Sequence, residues 1–132
     1  MPSSRQINLL THQIIGCAIA VHKELGPGVL EKHYAEAMYY ELEHQGIPYE
    51  KEVPVRLYYR GKSLGRPMFL DLPVAETVIV EMKAVDQLLP VHEAQLLSYL
   101  SLAKKTIGLL MNFHEVRLVD GIHRLILPGA NL

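Results

Sequence analysis

Two short apolar runs near the middle of the chain constrain it more than any other feature. Phe69-Leu70-Asp71-Leu72-Pro73-Val74 and Val78-Ile79-Val80-Glu81-Met82-Lys83 are separated by Ala75-Glu76-Thr77. Apolar, β-branched runs of this length read as buried strands, yet each carries charge. A three-residue turn at 75–77 predicts an antiparallel hairpin in which Val74 opposes Val78 and Asp71 opposes Glu81. Opposed residues project from one face with Cβ atoms roughly 4.5–5.5 Å apart, and Lys83, two residues on, shares that face. Two like charges about 5 Å apart repel by roughly 3 kcal/mol at an effective dielectric near 20. A divalent cation between them would reverse the sign.

The flanking sequence predicts the frame around this hairpin. Ile7 to Glu24 reads as a helix with an apolar stripe of Leu10, Ile14, Ile15, Ala18, Ile19 and Val21, ended by Gly26-Pro27-Gly28. A second helix runs from Leu30 to His44, with Leu30, Tyr34, Ala37, Met38 and Leu42 facing inward. From Tyr49 the period changes to two, and Arg56 to Arg60 leads into a turn at Gly61–Gly65. Pro73, lacking an amide donor, fits only an edge or irregular strand position. A third helix spans Val91 to Lys104, with a core stripe of Leu96, Leu97, Leu100 and Ala103, and with His92, Gln95 and Tyr99 on an adjacent face. Thr106 to Phe113 is apolar throughout, the pattern of a strand covered on both faces. Asp120-Gly121 signals a turn before a last strand at Ile122 to Leu127. The pattern is that of one α/β (α+β) domain over residues 1–132.

Composition narrows the function classes. A chain of 132 residues, half of them hydrophobic, buries a real core without disulfides. Cys17 is the only cysteine, which implies a reducing compartment and, inside an apolar helix, a small core hydrophobe. The polar N-terminus lacks a signal-peptide pattern, and no apolar run approaches the ~20 residues of a membrane span, so the cytoplasm is the expected compartment. The net charge of −1 argues against tight, sequence-independent duplex binding, leaving Arg56, Arg60, Lys62 and Arg66 as candidates for a local basic patch. Tyr39-Tyr40 and Tyr58-Tyr59 are expected in core or interface roles rather than stacked on bases.

An Asp followed by Glu-x-Lys on adjoining strands has a chemical logic. Carboxylates hold Mg²⁺ or Mn²⁺, hard cations that prefer oxygen, and such a metal acidifies water and stabilises charge on a phosphoryl group. Lys83 then orients the water. The rival is a Glu81–Lys83 or Asp71–Lys83 ion pair at a sheet edge, and the bare motif admits both. Two residues favour the site. Glu31 lies in the first turn of the second helix and borders its apolar stripe, although the helix dipole alone would favour an acid there. Gln95 sits one turn before Tyr99 on the third helix. The seven histidines lack the spacing of a zinc site, and only His92, one turn before Gln95, falls near these residues.

Gly28-Val29-Leu30-Glu31-Lys32-His33-Tyr34 resembles the signature of the Gly-x-x-Glu-x-x-Tyr (GxxExxY) family of small bacterial proteins, placed within the PD-(D/E)XK nuclease superfamily. The resemblance runs from the first helix to about Leu127, through Val78 to Val85, Leu89 to Leu100 and Gly108 to Phe113. It implies a restriction-endonuclease-like core, a mixed β-sheet flanked by helices. Asp71 and Glu81 would be metal carboxylates, Glu31 an added acid from the preceding helix that joins them as a metal ligand, Lys83 the water-positioning residue, and Gln95 the glutamine of a Gln-x-x-x-Tyr pattern with Tyr99. Leu70 stands where the superfamily motif has proline, a position at which many members vary. The implied activity is Mg²⁺- or Mn²⁺-dependent hydrolysis of nucleic acid, DNA or RNA; separately, the residues admit a chain that hydrolyses a small nucleotide or acts only as a homo-oligomer, its apolar first helix buried against a partner. The alternative is a binding or regulatory module that keeps the fold and cleaves nothing.

Overall fold

The computed structural model describes residues 2–129. Helix α1 (Ser4–Leu25) begins before the expected Ile7 because Ser3 and Gln6 form a capping box. Ser3 Oγ accepts the Gln6 amide at 3.1 Å, and Gln6 Oε1 accepts the Ser3 amide at 2.8 Å. The buried stripe of α1 is Ile7, Thr11, Ile14, Cys17, Ala18 and Val21. Leu10, Ile15 and Ile19, expected at its centre, flank it half-buried. Helix α2 (Glu31–His44) buries Tyr34, Met38 and Leu42. Leu30 does not belong to that inward face: it is the extended N-cap residue, outside the helical stripe, and is 58% exposed.

The run Phe69–Val74 is not one strand but two. Strand β4 (Met68–Leu70) pairs antiparallel with β1 (Val53–Val55), whereas β5 (Leu72–Val74) pairs antiparallel with β6 (Val78–Lys83). The chain changes partners at Asp71. Within β5 and β6 the predicted register holds, with Val74 opposite Val78. Pro73 lies on an edge strand, and its carbonyl accepts the Glu50 amide at 2.9 Å. Between β1 and β4 the chain forms a two-stranded tip, β2 (Tyr58–Tyr59) with β3 (Lys62–Ser63). Its turn is Arg60-Gly61, both at positive φ (50° and 78°), rather than the expected Gly61–Gly65. A two-residue turn with both φ values positive matches the twist of paired strands, which longer loops match less well.

Strand β6 runs parallel to β7 (Ile107–Asn112), which pairs antiparallel with β8 (Ile122–Ile126), giving a mixed sheet ordered β5-β6-β7-β8. Asp120-Gly121 lies in a 3₁₀ turn (Leu118–Gly121) that runs straight into β8, as the turn signal before the last strand predicts. Helix α3 (Pro90–Ala103) covers one sheet face, where Leu96, Tyr99 and Leu100 pack on Ile79 and Leu110. Helices α1 and α2 cover the other, against Val78, Val80, Met82, Ile107, Leu109 and Met111. Strand β7 is buried at every position because both faces are covered. Among the described residues the result is an α/β fold of three α-helices around a mixed sheet.

Helix α3 packs tightly on the sheet at Gly108, where a Cβ would lie 2.9 Å from both δ-methyls of the fully buried Leu96. Gly108→Ala should therefore destabilise the protein by about 1–3 kcal/mol, the usual cost of overpacking. The denaturant midpoint measures this, and an unchanged midpoint would refute the close approach.

Candidate active site

Glu31 is delivered by a loop fastened to the core. Gly28 at φ +108° lets the chain turn from α1 into α2. The buried Tyr34 hydroxyl donates to the Gly26 carbonyl at 2.6 Å and accepts the Val29 amide at 3.3 Å. Its ring stacks on Phe113 with centroids 4.6 Å apart, and His114 Nε2 lies 3.0 Å from the Val29 carbonyl. The glycine and tyrosine of Gly-x-x-Glu-x-x-Tyr thus set the loop, and the glutamate rides on it as the first residue of α2.

Asp71 meets Glu81, though not as a flat ladder pair. Being in the bend between β4 and β5, it exchanges backbone for side-chain bonds. Its amide donates to Glu81 Oε1 at 3.1 Å, and its Oδ2 accepts the Met82 amide at 3.0 Å. Glu81 is 2% exposed. Burial first, then the Asp71 charge, pushes its carboxyl up to about 9, against the hydrogen bond from the Asp71 amide and, last, Lys83. Tyr99, buried on α3, is raised by burial and then by Glu81 and Asp71, so it borders the same pair.

Lys83 Nζ donates to Gln95 Oε1 at 3.1 Å, which joins β6 to α3. The end of β6 is held by Asn112, fully buried opposite Lys83 in the register. Its amide nitrogen donates to the Val85 carbonyl at 2.9 Å and its oxygen accepts the Val85 amide at 3.1 Å. His92, by contrast, is used locally: its Nδ1 accepts the Leu89 amide at 2.9 Å at the start of α3.

Glu31 and Asp71 line one cavity of about 240 Å³ together with Glu52, Tyr39 and Met82. The Glu31 carboxyl is raised by burial and by Asp71, while Lys83 lowers it. Glu81 and Lys83 alternate with Met82 along β6 and project toward α3, outside the cavity lining. Asp71 links the two halves. A larger groove of about 510 Å³, around Glu24, Tyr40 and Tyr49, contains none of the five candidates. Glu52 went unnoticed in the sequence. The β1–β4 register, extended one step, sets it opposite Asp71, whose carbonyl accepts the Glu52 amide at 3.1 Å. Its φ of +46° is rare for a residue with a side chain. The signal was an acid directly before the Val53 strand, but only the pairing made it local to Asp71.

Among the described residues no three acidic, histidine or cysteine side chains form a ready-made ligand cluster. The Asp71–Glu81 pair still suits a small hard cation. One oxygen of each carboxylate is held by a backbone amide, and the proton retained by Glu81 beside Asp71 marks a place short of positive charge. Mg²⁺ characteristically takes one or two protein carboxylates and completes its shell with water and phosphate oxygens.

A family model described as the PD-(D/E)XK nuclease superfamily matches residues 8–125. The chain belongs to this superfamily, and its fold is the restriction-endonuclease-like arrangement of helices around a mixed sheet. No curated protein and no solved structure matches it. All five candidate residues fall within the matched span. Among the described residues no helix is long and apolar enough to cross a membrane.

Glu81 makes the site pH-sensitive. Its carboxyl holds a proton to about pH 9 in the fold, against roughly 4.3 in an unfolded chain. Between those values the unfolded state binds fewer protons, so stability falls as pH rises. In the presence of a chelator, Tm should decline from about pH 5 to pH 9, and Glu81→Gln should flatten the decline while still accepting the Asp71 amide. A Glu81→Gln protein with the wild-type slope would assign the dependence to another group.

Proposed function

We propose that the chain is a Mg²⁺- or Mn²⁺-dependent phosphodiesterase acting on nucleic acid, with residues 1–132 working as one nuclease-like domain. The observation that carries this reading is the Asp71–Glu81 pair, cross-linked through backbone amides beside a lysine tethered to Gln95. In this reading Asp71 and Glu81 are the metal carboxylates, and Glu31 is a third acid across the cavity. When bound, the metal supplies Lewis acidity that sharpens water as a nucleophile and offsets charge developing on the phosphoryl oxygens.

The protein's own groups do the positioning. Lys83 gives one of its three donor hydrogens to Gln95 and keeps two for a water or a phosphate oxygen. Gln95 fixes the ammonium at the end of a flexible stem, so less freedom is lost on forming the reactive arrangement. The Asp71 and Glu81 oxygens held by backbone amides cannot rotate away, which fixes the two carboxyl groups against each other. Glu31, with a raised carboxyl, is suited to taking or returning a proton at the cavity.

Hydrolysis of single- and double-stranded DNA and RNA with Mn²⁺ tests this. Asp71→Ala should lower the rate at least ~100-fold, and Lys83→Ala by a similar order, typical of lost electrostatic or metal-centred stabilisation. Calorimetric titration with Mn²⁺ should show binding that tightens with pH, because the metal must displace the Glu81 proton. Hydrolysis that survives Asp71→Ala sinks the reading. Metal binding without hydrolysis of any substrate would make the chain a binding module instead.

A further inference from the structure

The eighteen residues from Val53 to Leu70 contain four basic residues and no acidic one, leaving nine basic against fourteen acidic in the rest of the chain. They form one continuous arm. Its stem, β1 with β4, is anchored through Val53, Val55, Met68 and Leu70 to the apolar layer under α3. Its tip, β2 with β3, is exposed at every position. Tyr58 and Tyr59 are 66% and 63% exposed, which removes the core from the core or interface roles expected of them. The arm springs from Glu52 and Asp71, so its root is the rim of the candidate active site.

The tip has the parts of a grip for unpaired bases. Tyr58 and Tyr59 are successive strand residues and point to opposite faces. Tyr59 stands directly opposite Lys62, and the Arg60 guanidinium lies 5.8 Å from its ring centre. A base stacked on Tyr59 would bring its flanking phosphates to two cations. Arg56 braces the ribbon, with Nη1 at 3.4 Å from both Ser63 Oγ and the Gly65 carbonyl. Among the described residues none of the four arm cations forms an ion pair with an acid. Their charge is therefore available to an outside anion. Stacking needs an exposed base face, which a duplex hides and a single strand offers.

We propose that the 53–70 arm grips single-stranded nucleic acid, Tyr58 and Tyr59 stacking on unpaired bases while Arg60, Lys62 and Arg66 hold phosphates, and leads the strand to the carboxylates at its root. This rests on the phosphodiesterase reading for the destination of the strand, but the grip is testable without cleavage. Fluorescence anisotropy in EDTA on the full chain would use a labelled thymidine oligonucleotide of about 20 nucleotides, longer than the ~4–16 that comparable sites cover. The matching duplex and a uridine RNA of equal length are the comparisons, the latter separating DNA from RNA as the source of the strand.

The single strands should bind at least ~10-fold more tightly than the duplex. Tyr58→Ala with Tyr59→Ala should remove that preference, and phenylalanine at both positions should restore it, as expected of stacking. Replacing Arg60, Lys62 and Arg66 with glutamine should lower the slope of log affinity against log salt by about 2, at ~0.7 per phosphate contact on a single strand. Circular dichroism confirms that each variant is folded. Equal binding of duplex and single strand, or arm variants that bind as wild type does, would overturn the proposal. So would loss of a dimer in sedimentation with oligonucleotide binding unchanged, which would make the arm a self-association surface. Cleavage that Asp71→Ala abolishes and arm variants leave intact would overturn the grip alone, whereas arm-dependent binding without cleavage would overturn only the phosphodiesterase reading.

Discussion

The structure turns on the exchange between Asp71 and the strand beside it. A chain that leaves one strand partner for another must bend, and a bend strands backbone groups that a ladder would satisfy. At Asp71 the amide goes to the Glu81 carboxylate, the carbonyl takes the Glu52 amide, and the side chain takes the Met82 amide. The same bonds make two neighbouring acids tolerable in a buried setting, since each carboxylate is partly solvated by a backbone donor. Topology and site chemistry therefore share one residue. The arm, the cavity and the main sheet all meet there.

The second constraint is the far end of β7. Phe113 stacks on Tyr34 and so supports the loop that carries Glu31 from one face of the sheet. Its neighbour Asn112 clamps Val85 and steadies the end of β6 beyond Lys83. Helix α3 meets the same lysine from the other face through Gln95. Adjacent residues at and just past the end of one fully buried strand thus locate groups that converge from both layers. Rigid elements hold a site better than loops do, because packed side chains cannot drift without opening voids.

Much of this was legible in the residues. The β5–β6 register followed from a three-residue turn and the period of two, and β7 followed from an uninterrupted apolar run. Glu31 and Gln95 stood out because each sits beside an apolar stripe. Other features were not legible. The split of Phe69–Val74 at Asp71 was hidden because apolar content does not say which partner a strand takes. Glu52 was invisible for the same reason: it is nineteen positions from Asp71 and becomes its neighbour only through the β1–β4 pairing. The tip turn was misplaced because Arg60, a residue with a side chain, adopts the positive φ normally left to glycine.

Local pattern alone set the helices, the hairpin and the candidacy of Asp71, Glu81 and Glu31, because propensity and hydrophobic period act over a few neighbouring residues. Tertiary structure decided what those acids became. It buried Glu81 until it kept its proton, tied Lys83 to a glutamine on another layer, and rooted a basic, aromatic arm beside Asp71. Charge, burial and strand choice depend on what lies across space, and spacing along a chain does not carry that information.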